Sequence, residues 1–85
     1  KINMAAKLKN TILSAFKMHG LTLRSEASQY LVEVLTPVNQ QDRSQWLDRI
    51  IDTLQKQSLL TSMVGKAECE TAVQECNAEQ EDDSG

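Results

Sequence analysis

The chain has 85 residues, enough for one small domain and too few for two. Its 40% hydrophobic and 25% charged residues are typical of a folded domain rather than a disordered chain, and its three glycines and one proline argue against the many tight turns of an all-β barrel or sandwich. The net charge of -3 is unevenly distributed, because residues 1–24 carry five basic and no acidic side chains, whereas residues 65–85 carry one basic and seven acidic side chains.

The first predicted element is an amphipathic helix over residues 4–19, because apolar side chains recur there at helical spacing. Gly20 is expected to end this helix, since glycine adopts the left-handed conformation that closes many helices. Residues 21–24 then alternate apolar and polar side chains, which predicts a short half-buried strand. Met4 is typical of a natural start, so residues 1–3 are expected to precede the natural chain.

A second helix is predicted over residues 26–36, with Ser25 as its N-cap. Pro37 is expected to end it, because the residue before a proline is displaced from the helical conformation. A third helix is predicted over residues 41–57 and has the most regular amphipathic pattern. Its apolar face carries Trp46, Leu47, Ile50, Ile51 and Leu54.

The C-terminal part of the chain predicts a second strand, a fourth helix and an acidic tail. Residues 58–64 lack helical periodicity and are assigned to a short strand. A helix is predicted over residues 66–78, with both cysteines facing inward. Residues 79–85 contain no apolar side chain and are expected to form a flexible acidic tail, so the domain itself covers residues 4–78.

These elements predict a mainly α fold of two helical hairpins, each with an extended segment in its connection. The two extended connectors occupy equivalent places in the two halves of the chain. We therefore expect them to lie side by side as a short two-stranded parallel sheet. Eight apolar residues are expected to be buried in the core: Leu8, Ile12, Phe16, Leu31, Leu35, Ile50, Ile51 and Leu54.

The chain offers few residues for catalysis. His19 is its only histidine and lies beside the glycine that ends the first helix, where a packed or dipole-stabilised histidine is expected. Three isolated glycines do not form a phosphate-binding loop, and the acidic residues of the fourth helix lack the glycine-centred loop of a calcium site. We therefore expect no enzymatic activity, no cofactor and no metal.

Cys69 and Cys76 are separated by two helical turns, ~10.5 Å, which exceeds the ~7 Å limit for a disulfide and differs from the close cysteine pairs of zinc sites. They are expected to be buried thiols that act as small apolar residues. Two cysteines, with no basic and apolar leader before the first helix, favour an intracellular protein. The apolar runs are far shorter than the ~20 residues of a membrane-spanning helix.

Four groups on the first and third helices are the candidate contacts for a partner: Trp46, Arg43, Lys9 and Lys17. Trp46 is predicted at the rim of the third helix's apolar face, and tryptophans are enriched in binding hot spots. The lysines of the first helix are spread around its polar side instead of clustering, so direct nucleic-acid binding is disfavoured. A small helical DNA-binding or histone-fold-like module stays as an alternative, which the basic N-terminal part of the chain supports.

Three segments of the chain, in this order, resemble the N-terminal domain of the second-largest subunit of eukaryotic DNA polymerase epsilon. They are SAFKMHGLTLRSEA at residues 14–27, DRIIDTLQKQ at residues 48–57 and TAVQEC at residues 71–76. The resemblance extends over residues 4–76. It implies a left-handed bundle of two helical hairpins with a short parallel strand pair, similar to the lid domain of AAA+ ATPases.

The resemblance also implies a non-catalytic function in the nucleus, in which the domain links the leading-strand DNA polymerase to the replicative helicase through the GINS complex. The further domains that hold the second-largest subunit to the catalytic subunit are not expected in this chain, so we expect a monomer without strong binding to the catalytic core. Arg43 lies near the place where an AAA+ lid carries a nucleotide-sensing arginine. Because the chain has no phosphate-binding loop, that role is not carried over, and an ATPase accessory lid with a separate nucleotide-binding partner is a second alternative.

Overall fold

The computed structural model describes residues 3–57 and 62–84, and over these ranges it contains four helices and two short strands. Their order is α1 (Met4–Met18), β1 (Thr22–Leu23), α2 (Ser25–Leu35), α3 (Gln40–Lys56), β2 (Met63–Val64) and α4 (Lys66–Ser84). The mainly α fold predicted from the sequence is therefore confirmed. Part of the second predicted strand, residues 58–61, lies outside the described residues, and the handedness of the bundle stays a prediction.

Helix α1 is closed at both ends by local hydrogen bonds. The side-chain oxygen of Asn3 accepts from the backbone N–H of Ala5 at 2.9 Å, which satisfies one of the free donors at the helix start. At the other end, Gly20 has a φ of 74° and its N–H donates to the Lys17 carbonyl, while the Leu21 N–H donates to the Phe16 carbonyl. This pair of bonds is a Schellman motif, so glycine ends the helix as predicted.

The two strands pair in parallel, with Thr22 opposite Met63 and Leu23 opposite Val64. The Arg24 N–H continues the pairing by donating to the Val64 carbonyl at 2.9 Å. Leu23 and Val64 turn inward and are buried, whereas the other residue of each strand is exposed. The predicted two-stranded parallel sheet is confirmed, and it joins the connections of the two helical hairpins.

Ser25 is not the N-cap of α2, and that detail of the sequence interpretation is wrong. Arg24 occupies the cap position and Ser25 is the first helical residue. The strand pair explains the difference, because the bond to Val64 holds the backbone of Arg24 in an extended conformation up to the helix start. Helix α2 ends at Leu35, shortly before Pro37, as predicted.

The core lies between the two hairpins, where α1 packs mainly on α2 and α3 packs mainly on α4, with α2 also contacting α4. All eight residues predicted in the core are buried. Leu21, Leu23 and Val64 from the two connectors join them, so the strand pair closes one side of the core. Ser28 is the one polar side chain buried in the described residues, and its hydroxyl donates to the Ser25 carbonyl at 2.9 Å.

Helix α4 continues to Ser84, beyond the end predicted at residue 78. The segment from 66 to 84 contains neither glycine nor proline, and its alanine, glutamate and glutamine residues are good helix formers. The absence of apolar side chains therefore did not end the helix. The assignment of residues 79–85 to a flexible tail outside the domain stays a prediction.

Candidate protein-interaction surface

Arg43 connects the start of α3 to the end of α2. Its Nε donates to the Leu35 carbonyl at 3.0 Å and its Nη2 donates to the Thr36 carbonyl at 3.0 Å. Carbonyl groups in the last turn of a helix have no partner within the helix, so the guanidinium satisfies two acceptors there. The half-buried Arg43 thus has a structural role in addition to any contact with a partner.

A cleft of about 350 Å³ lies between most of the length of α1 and the N-terminal half of α3. Helix α1 lines it with Met4, Lys7, Leu8, Thr11 and Ala15. Helix α3 lines it with Gln40, Arg43, Ser44, Leu47 and Asp48. The floor is apolar, because Leu8 and Leu47 are buried and Ala15 is half-buried, while the polar and charged residues form the two sides.

Helix α1 carries two exposed methionines, of which Met4 lines this cleft and Met18 lies beyond its lining. Among the described residues, the exposed large hydrophobic side chains are Met4 at 69%, Met18 at 85% and Met63 at 44%. Met4 and Met18 are 14 residues apart on α1, which is about 21 Å along the helix, and this spacing places them on the same edge as Thr11. The edge of α1 that faces the cleft therefore begins at an exposed methionine, and a second exposed methionine follows beyond the cleft.

The other sequence candidates lie on different surfaces. Lys9 and Lys17 are exposed on faces of α1 that turn away from the cleft. Trp46 is half-buried against the core, as predicted, and lies on the edge of α3 that it shares with Thr53. Thr53 faces α4, where its hydroxyl lies 3.7 Å from the Cys76 sulfur.

The structure therefore brings only Arg43, of the four candidates, into the cleft. Sequence reasoning missed Met4, Lys7 and Ser44 as cleft residues, because each lies outside the apolar face used to predict its helix. A usable signal was present in α1, where positions 4, 7, 11, 15 and 18 follow one edge of a helix.

A shallower depression of about 280 Å³ lies between α2 and the start of α4. It is lined by Glu26, Gln29, Tyr30, Glu33 and Lys66. Burial raises the pKa of the Tyr30 phenol, with a further contribution from the charge of Glu70. Over residues 3–57 and 62–84 no group of three or more potential metal ligands occurs.

The two cysteines are free thiols, both fully buried on the inner side of α4. Burial raises the pKa of Cys69 to about 12, and the neighbouring Glu68 and Glu70 act in the same direction. Burial also raises the pKa of Cys76. Both thiols are therefore protonated near neutral pH, as expected for cysteines that act as small apolar residues. His19 is exposed at the C-cap of α1, so the packed position is wrong, and the dipole-stabilised alternative stays a prediction.

The surface is polarised between its first and last helices. Helix α1 carries Lys7, Lys9 and Lys17 and no acidic residue, whereas α4 carries a large excess of acidic residues. Because α1 packs on α2 while α4 packs on α2 and α3, the basic and acidic helices occupy different parts of the surface.

No helix in the described part of the chain is both long and apolar enough to span a bilayer.

Comparisons with known protein families and with individual proteins point to the same family. Residues 4–76 match the family described as DNA polymerases epsilon N terminal. The chain is similar to DNA polymerase epsilon subunit 2 of Bos taurus, with 44% identity over 71 residues, which cover 84% of this chain and 14% of the relative. The same subunit of Homo sapiens is 41% identical over 71 residues, again covering 84% of this chain and 14% of the relative. That of Drosophila melanogaster is 43% identical over 70 residues, covering 82% of this chain and 13% of the relative.

The matched segment is thus a small part of these relatives, and it coincides with nearly all of the helical domain described above. The resemblance found in the three sequence segments is confirmed by a match over the whole fold from α1 to Cys76 in α4. The chain belongs to the family of DNA polymerase epsilon N-terminal domains.

Proposed function

We propose that the chain is a non-catalytic protein-interaction domain of the accessory subunit of DNA polymerase epsilon, acting in DNA replication. In this function it links the polymerase to the replicative helicase through the GINS complex, in the nucleus. The observation that supports the proposal is the 41–44% identity, over most of this chain, to proteins named DNA polymerase epsilon subunit 2. We assign contacts with the other polymerase epsilon subunits to domains outside this chain.

The surface of the domain is suited to binding a protein. An open cleft with an apolar floor and charged sides provides both buried contact area and polar contacts at the rim, as in many interfaces. A domain of this size offers ~800 Å² to one partner, enough for a single standard interface. We propose four residues as contacts with the partner: Arg43 within the cleft, and Trp46, Lys9 and Lys17 on other faces.

Calorimetric titration of the chain with purified GINS complex tests the function. We expect saturable binding with one domain per complex at tens of micromolar protein. A parallel titration with duplex DNA at several salt concentrations is the control, because binding to phosphates weakens steeply with salt. Absence of binding to GINS together with salt-sensitive binding to DNA would replace this function with that of a small DNA-binding module.

A further inference from the structure

We propose that the cleft between α1 and α3 is the docking site for an acidic amphipathic helix of the partner protein. The proposal rests on the function proposed above and names the surface and the chemistry of the segment that it binds. It follows from three features of the cleft: its apolar floor, its length along α1 and the sign of its charges.

The floor and the methionines define the apolar side of the occupant. Leu8 and Leu47 form a floor between two helices, and a third helix fits such a groove by inserting one row of large side chains. The α1 lining runs from Met4 to Ala15, about 16 Å or three turns of a partner helix, and the exposed Met18 lies about one turn further along the same edge. Methionine side chains adapt their shape to a partner, so they are suited to the ends of such a groove.

The charged residues of the cleft indicate which polar side chains the bound helix carries. Lys7 and Arg43 stand on opposite sides of the cleft, and Asp48 is the one acidic residue in its lining. Helix α1 contains no acidic residue, so none of its side chains repels the carboxylates of an occupant. Arg43 uses two of its five N–H donors on backbone carbonyls, and the remaining donors can bind a carboxylate.

A nucleic acid fits this site less well than a protein helix does. Phosphates require clustered cations, whereas Lys9 and Lys17 lie on faces away from the cleft. A phosphate backbone also offers no apolar groups that could pack on the floor of the cleft or on the two exposed methionines. The segment that binds is therefore a helix with one apolar row and acidic residues beside it.

Charge substitutions within and outside the cleft test the location. Thr11→Glu and Ser44→Glu place a carboxylate on either side of the cleft, whereas Asn10→Glu and Gln45→Glu make the same change one residue away on exposed positions that do not line it. In calorimetric titrations with the GINS complex we expect the cleft variants to bind at least about tenfold more weakly, since like charges repel at a docking surface. The control variants should keep the affinity of the unaltered chain.

The sign of the substituted charge tests the chemistry of the occupant. Thr11→Lys should bind GINS as tightly as the unaltered chain or more tightly, because it adds a cation beside Lys7. Equal weakening by Thr11→Lys and Thr11→Glu would show that the occupant is not acidic and would overturn the proposal. Circular dichroism melting curves of all variants confirm that they are folded before they are compared.

Methionine methyl NMR gives an independent readout of the surface. In a chain with labelled methionine methyl groups, the signals of Met4 and Met18 should shift when GINS is added, while that of Met63 on β2 serves as the internal reference. Binding of GINS with equal affinity by all variants would overturn the docking site and leave the proposed function standing. If the unaltered chain does not bind, the proposed function fails, and the docking proposal fails with it.

Discussion

Cys69 shows how a single buried side chain makes the stability of this domain depend on pH. The thiol is fully buried, and its pKa is raised from 9.0 to about 12 because burial disfavours the thiolate. The unfolded chain exposes the same thiol, which then ionises near its ordinary pKa. The stabilisation linked to this proton is therefore complete below pH 9 and is lost as the pH rises from 9 towards 12.

Replacing this residue isolates its contribution. We expect the free energy of unfolding of the unaltered chain to fall relative to that of Cys69→Ala by about 1.4 kcal/mol per pH unit above pH 9. Urea unfolding of both proteins at pH 8 and at pH 10.5 measures the change, and the ionisation of Tyr30 and Cys76, which both proteins contain, cancels in the comparison. A difference between the two proteins that is the same at both pH values would contradict the prediction.

At the scale of the elements, the end of α1 depends on one backbone conformation. Gly20 has a φ of 74°, and a Cβ built on it would meet no atom within 4 Å. Substitution with alanine therefore costs backbone strain and not a clash, roughly 1–2 kcal/mol. We expect Gly20→Ala to lower the melting temperature by about 4–8 °C for each kcal/mol lost. Gly20→Asn should lose less, since asparagine tolerates this conformation better, and equal losses for both variants would argue against a backbone cause.

The elements also show what the sequence could predict and where it failed. The order of helices and the strand positions follow from apolar spacing, from Gly20 and from Pro37, which act on their immediate neighbours. The cap of α2 could not be predicted, because the extended conformation of Arg24 depends on a hydrogen bond to Val64, far away in the sequence. The cleft could not be predicted for the same reason. Its two sides come from α1 and α3, which are distant in the sequence, and they form a groove only when the fold brings them together.

For the whole molecule, the division between domain and tail can be tested by truncation. The last buried side chain described in α4 is that of Cys76, and Glu79 is exposed. We expect deletion of residues 79–85 to remove only the helical circular dichroism signal of the last residues of α4 and to change the melting temperature by less than about 3 °C, as for surface changes of 0.5 kcal/mol or less.

A chain that ends at Ala78, measured beside the full chain at two salt concentrations, separates packing from charge effects. A clear drop in melting temperature at both salt concentrations would show that the end of α4 packs on the domain. A change that disappears at high salt would instead reflect the loss of the four acidic residues that the deletion removes, Glu79, Glu81, Asp82 and Asp83.

The short strand pair has a consequence for the order in which the molecule folds. Most helix packing occurs within a hairpin, between neighbours in the sequence, and such local contacts form quickly. Thr22 and Met63, by contrast, are brought together across 41 positions, and closing a loop of that length costs on the order of 3 kcal/mol of chain entropy. The two hairpins are therefore expected to form first. Pairing of β1 with β2 is expected to follow as the last step of folding, and it fixes the position of one hairpin relative to the other.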